Sequence, residues 1–136
     1  MGLIKDIEDV FNENKVKYFK GNNDTSNIIN VIYRGIKNKE NHINIYLDID
    51  ESSNCIRFIF TEKCNPSADL DMVKSQLLDL NATIPAGTLS MRNESDSIEY
   101  RADYIVAEDK FSFKTYNIFI VHCVKVYESL QEKEII

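Results

Sequence analysis

Leu3, Ile4, Ile7, Val10 and Phe11 recur at helical spacing, with Lys5, Asp6, Glu8, Asp9 and Asn12 filling the other side, so residues 2–15 are predicted to form an amphipathic helix. Residues 20–27, KGNNDTSN, hold a glycine and side chains that bond their own backbone, which predicts a loop. From Ile28 the period changes to two. Three β-rich runs follow, Ile28–Ile36, His42–Asp50 and Asn54–Glu62, and the links KNKEN and ESS are too short for anything but antiparallel hairpins. In the second run Ile43, Ile45, Leu47 and Ile49 share a face, and Asn44, Tyr46, Asp48 and Asp50 share the other. The third sends Ile56, Phe58 and Phe60 one way and Arg57 the other. One sheet face is therefore core, and the opposite one, with Tyr46 and Arg57, is wet or faces a partner.

Pro66 ends the meander, and Ser67 is positioned to cap a helix over residues 68–81 whose first turn carries Asp69 and Asp71. Leu70, Val73, Leu77 and Leu80 form its stripe, while Met72 and Leu78 fall off it. Pro85 and Gly87 mark the exit. A second hairpin follows, with Leu89 and Met91 alternating in one arm, Ile98, Tyr100, Ala102 and Tyr104 in the other, and NESDS as the turn. The last element, Phe113 to about Lys133, is a long helix lined by Phe113, Tyr116, Ile120, Cys123, Val124, Tyr127 and Leu130, widened by Phe119 and Val126. Ile118 and Val121 lie outside even the widened stripe. They are either isolated exposed apolar residues or part of a partner patch. The order is α-βββ-α-ββ-α, an α+β fold with an antiparallel sheet, read as one domain over residues 1–136 with no internal repeat or linker.

The composition adds exclusions. A chain of 136 residues can bury a core without staples, and a net charge of -6 argues against binding nucleic acid or anionic membrane through a basic face. Asp6, Glu8 and Asp9 interrupt the first apolar stretch, which is unlike a secretory signal, and no run reaches the length of a membrane span; a cytoplasmic home is expected. The three cysteines form no disulfide or zinc pattern, and Cys55 and Cys123 sit at apolar positions of a predicted strand and helix. His122 is adjacent to Cys123 on one helix, so the two side chains diverge by about 100° and cannot work as a nucleophile and base.

Asp48, Asp50, Ser52 and Asn54 echo the start of a calcium loop, but its sixth position lacks glycine and its twelfth is Ile59. Asp48, Asp50, Glu99 and Asp103 can meet on the polar sheet face, together with Arg34, Arg57, Arg92 and Arg101. Opposite charges paired across strands describe that set better than an acid and base pair does. No metal, cofactor or catalytic residue is expected.

The segment LLDLNATIPAGTLSMRNESDSIEYRADYIV couples a helix ending in Leu80-Asn81, a Pro/Gly exit, a strand, a polar turn and a strand carrying Tyr100-Arg101. This resembles the YbjN family of bacterial proteins, on Leu80, Asn81, Gly87, Tyr100 and Arg101 and on the order of elements over nearly the whole chain. The resemblance implies a fold like that of type III secretion chaperones, a small acidic cytoplasmic homodimer, and a role as a candidate sensory transduction regulator; it carries over no catalytic residue. The expected function is thus a non-enzymatic module that binds another protein or a second copy, with Ile118, Val121, Tyr46 and Arg57 as candidate contacts. The alternative is a regulatory domain that senses a small ligand.

Overall fold

The structure is a computed structural model that describes residues 2–21, 27–92, 94–106 and 111–136. Its elements run Leu3–Glu13 (α1), Phe19–Lys20 (β1), Ile28–Arg34 (β2), His42–Asp50 (β3), Cys55–Lys63 (β4), Leu70–Asn81 (α2), Thr88–Arg92 (β5), Ser97–Ile105 (β6) and Phe113–Glu132 (α3). The strands form one antiparallel sheet in the order β1-β2-β3-β4-β6-β5. The two predicted strand groups are joined where β6 pairs along the whole of β4, from Cys55 opposite Ile105 to Lys63 opposite Ser97.

The alternation predicted for the strands fixes which side is dry. Ile29, Val31, Ile43, Ile45, Leu47, Ile49, Ile56, Phe58, Phe60, Ile98, Tyr100 and Ala102 are all buried on one face, in a core shared with Leu3, Ile7 and Phe11 of α1, Val73 and Leu77 of α2 and the stripe of α3. Aromatic rings knit the layers together: Phe119 stacks on both Phe58 and Tyr104, and Phe11 lies 4.9 Å from Tyr116. All three helices therefore cover the same side of the sheet. The other side carries no element among the described residues.

Several expectations change. The sheet has six strands, not five, because Phe19 and Lys20, partly inside the predicted loop, add a short edge strand to Asn30 and Ile29. Residues 22–26 of that loop and Asn93 of the predicted NESDS turn lie outside the described residues. Strand β2 stops at Arg34, since Gly35 packs so close to the Asn38 carbonyl that a side chain there would collide. The second helix is capped by Asp69 and not by Ser67: the Asp69 carboxylate accepts from the backbone N–H of Asp71 and Met72, while Ser67 turns back to Asn65. Its Leu70, expected in the core stripe, is 36% exposed because the helix starts there, at the rim of the packed region. Cys55 is only half-buried, because its strand position faces the open side opposite Asp50 and Ile105. Among the described residues no helix is long and apolar enough to cross a membrane.

Candidate functional site

The uncovered face is built by strand parity alone. One row crosses all six strands, Phe19, Asn30, Tyr46, Ile59, Arg101 and Thr88, each opposite the next in register. A neighbouring row holds Ile28, Asp48, Arg57 and Asp103. Phe19, Ile28, Ile32 and Tyr46 are each more than 40% exposed, so the β1–β3 half of the face sets four apolar side chains among the polar Asn30, Asn44 and Asp48. The β4–β6 half is charged. Arg57 lies between Asp48 and Asp103 and donates from Nε to Asp103 Oδ1 at 3.0 Å, and Arg92 Nε stands 3.5 Å from Glu99 Oε2. The carboxylate of Asp103 holds the Arg57 guanidinium charged, pushing its pKa up. These are the cross-strand pairs expected of a solvated sheet surface.

All four arginines of the chain stand on this face, whereas among the described residues Lys63 is the only lysine at an outward strand position on it. With Asp48, Asp50, Glu99 and Asp103 as the acids, the face sums to +1 on a chain of -6. Two hollows open on it. One, of about 330 Å³, is lined by Gly87, Thr88, Ser90, Glu99, Arg101 and Asp103; the other, of about 340 Å³, by Asn27, Asp48, Ile49, Asp50, Ser53, Cys55 and Arg57. In the second hollow the Cys55 thiol is pushed up by burial and by Asp103, the opposite of the shift that activates a nucleophile. Asp50 is held below the usual carboxylate range by hydrogen bonds from Ser52 and Ser53. No group of three or more His, Cys, Asp or Glu side chains is placed to hold a metal ion, among the described residues.

The four predicted contact residues fall into two places. Tyr46 and Arg57 stand in adjacent rows of the open face. Ile118 and Val121, 59% and 42% exposed, are on α3, which packs on the opposite side of the sheet. One partner surface cannot easily include all four. The alternation of β2–β4 and β6 already pointed to the first pair. What the sequence reading missed was Phe19, because a two-residue edge strand has no period to detect.

Against known proteins, the sequence matches no family profile, and no curated protein matches it significantly. In three dimensions it superimposes on the crystal structure of YbjN from E. coli, a candidate transcription regulator, with a TM-score of 0.65 at 12% identity, covering 97% of this chain and 93% of that one. The fold is that of YbjN. Within the YbjN fold, the residues that carried the resemblance have structural work. The Asn81 side chain accepts from the backbone N–H of Leu89 and donates to its carbonyl, acting as a one-residue strand on the outer edge of β5. Gly87 has a φ of +87° and packs against the Tyr100 ring, whose hydroxyl donates to the Ala86 carbonyl at 2.6 Å. Leu80 packs partly buried against the core. Arg101 is the exception: it points to the open face.

Proposed function

We propose that this chain is a non-catalytic module that binds another protein through the uncovered face of its sheet. The observation that carries the reading is the make-up of that face: exposed Phe19, Tyr46, Ile28 and Ile32 beside every arginine of the chain, with one lysine among the described residues. Protein interfaces concentrate aromatic residues and arginine and are poor in lysine, because a flat guanidinium sheds its water more readily than an ammonium. An ordinary solvated surface of this acidic protein would show the reverse bias. A regulatory role, as described for YbjN, would be exercised through the same binding event.

The test is affinity capture from cell extract with the wild-type chain and with an Ile32→Asp, Tyr46→Asp double variant whose folding is verified by circular dichroism. A protein retained at defined stoichiometry by the first and released by the second is expected. Loss of retention with Val121→Asp but not with the double variant would move the site to α3, and retention indifferent to both changes would overturn the proposal.

A further inference from the structure

The outward strand positions of the open face fall into cross-strand rows, and the charge of these rows changes sign along the strands. At one end Asp50, Cys55 and Ile105 share a row of charge -1, and Asp48, Arg57 and Asp103 share the next, also -1. The row of Tyr46, Ile59 and Arg101 carries +1, and that of Ile32, Asn44, Thr61 and Glu99 carries -1. The last row, with Arg34, His42, Lys63, Ser97 and Arg92, carries +3 with the histidine neutral. Pairing of β3 with β4 ends at Tyr46 and Ile59, and the last two rows follow from continuing that register. Glu94 and Asp96 follow Arg92 in the β5–β6 turn, so Arg34 and Lys63 are the cations freest to act at the basic end.

A face that is acidic at one end and basic at the other can be matched by its own image. Two identical sheets packed face to face are related by a two-fold axis lying in the plane between them. With that axis along the strands, each row would meet its own copy, and like charge would face like throughout. With the axis across the strands, between the Tyr46 and Asn44 rows, the -1 row of Asp48 lies over the +3 row of Arg34, and the +1 row of Arg101 lies over the -1 row of Glu99. Each of these row contacts then joins opposite signs, and the symmetry makes each of them twice. Packed sheets cross at about 30° from alignment, a small rotation from this arrangement.

Resting on the proposed binding face, we infer that its occupant is a second copy of this chain, packed face to face with its strands antiparallel across the two-fold axis. Arg101 has no carboxylate within ion-pair distance among the described residues. In the pair it stands over Glu99 of the second copy, whose own link to Arg92 is a loose 3.5 Å. Asp48 meets the end that holds His42 and Arg34. Tyr46, Ile59 and Ile32 lie beside the axis on both copies and exclude water from the centre. Six strands about 4.8 Å apart and four rows about 6.8 Å apart, with the edge strands short, give roughly 700 Å² per copy. That is close to the area of about 800 Å² that a stable interface buries on each partner. Two chains of net charge -6 repel each other, and this face, at +1, is where they can approach.

Light scattering coupled to size exclusion tests this on the full chain and on two single variants, each verified as folded by circular dichroism. The wild-type chain is expected to be a dimer that weakens as salt is raised. Arg101→Glu sets two carboxylates against each other at both symmetric positions, and Glu99→Arg does the same with two guanidiniums. Each variant alone should raise the dissociation constant by at least about tenfold. Mixing the two variants should restore the dimer as a heterodimer, because each chain then offers the charge that the other lacks.

A monomer at every concentration reached, with a different protein captured from extract and released by the Ile32→Asp, Tyr46→Asp double variant, would overturn the second copy and leave the binding face standing. A monomer whose captured protein is indifferent to that double variant would overturn both. A dimer that neither charge variant weakens, or that Val121→Asp dissociates, would place the two-fold axis on another surface and overturn this inference. Variants that dissociate singly and stay monomeric when mixed would overturn the pairing of Arg101 with Glu99, and with it the axis.

Discussion

Glu128 is the one charged side chain buried among the described residues, 5% exposed on α3, and its removal gives the sharpest test of how the helix layer is locked to the sheet. Its Oε2 accepts from the backbone N–H of Lys37 at 2.7 Å and of Asn38 at 3.1 Å, which stitches the β2–β3 loop to the helix. Asn41 and Gln131 exchange hydrogen bonds beside it, and Lys37 Nζ reaches Glu132 at 2.6 Å. A hydrogen bond to a charged group is worth about 1.5–3 kcal/mol, and the surface position of the loop lets water replace part of what is lost, so Glu128→Ala should cost about 3 kcal/mol. For a domain of this size that corresponds to a fall in Tm of roughly 10 °C. Glu128→Gln keeps an acceptor oxygen for both amides and gives up only the charge, which should cost about 1 kcal/mol. Urea unfolding followed by circular dichroism measures both, and amide exchange at Lys37 and Asn38 reports the loop directly. If Glu128→Ala came within about 0.5 kcal/mol of wild type, or the two variants were equal, the carboxylate would not be what holds the loop.

Further expectations follow from other parts of the fold. Gly87→Ala places a methyl group against the Tyr100 ring at a φ of +87°, combining backbone strain with overpacking, and should cost about 2–4 kcal/mol in the same urea assay; an unchanged midpoint would mean the turn relaxes freely. Burial pushes Cys123 up to about 12 and raises Tyr100 and Tyr116 as well, so the folded state keeps protons that the unfolded chain gives up. Stability should therefore be full below about pH 9 and decline as the pH rises above it, seen as a lower urea midpoint at pH 10.5 than at pH 8; a flat profile would contradict this burial. Arg57→Met breaks a partly exposed pair and should change stability by no more than about 1 kcal/mol, while a larger loss would show that the Asp103 pair supports the sheet itself.

Much of the architecture is legible in the sequence, because a strand with one dry face must alternate and the alternation of Ile43, Ile45, Leu47 and Ile49 against Asn44, Tyr46, Asp48 and Asp50 admits no other phase. The same parity placed Arg57 outward among the acids of the polar face, and the structure selects Asp103 as its partner. The long amphipathic stripe determined α3, and with it the outward positions of Ile118 and Val121.

Other features were decided only by tertiary structure. That β6 and not β5 lies beside β4 depends on long-range pairing that no local period encodes. Phe19 joined the sheet because an unpaired edge of β2 was within reach, not because two residues have a strand signal of their own. Glu128 reads in the sequence as an ordinary polar helix residue; it is buried because two backbone amides of a loop ninety residues earlier meet its carboxylate there. The open face itself is of the same kind: periodicity says that one side of each strand is polar, but only packing three helices on the other side leaves Tyr46, Ile32 and four arginines together on a surface that nothing in the chain covers among the described residues.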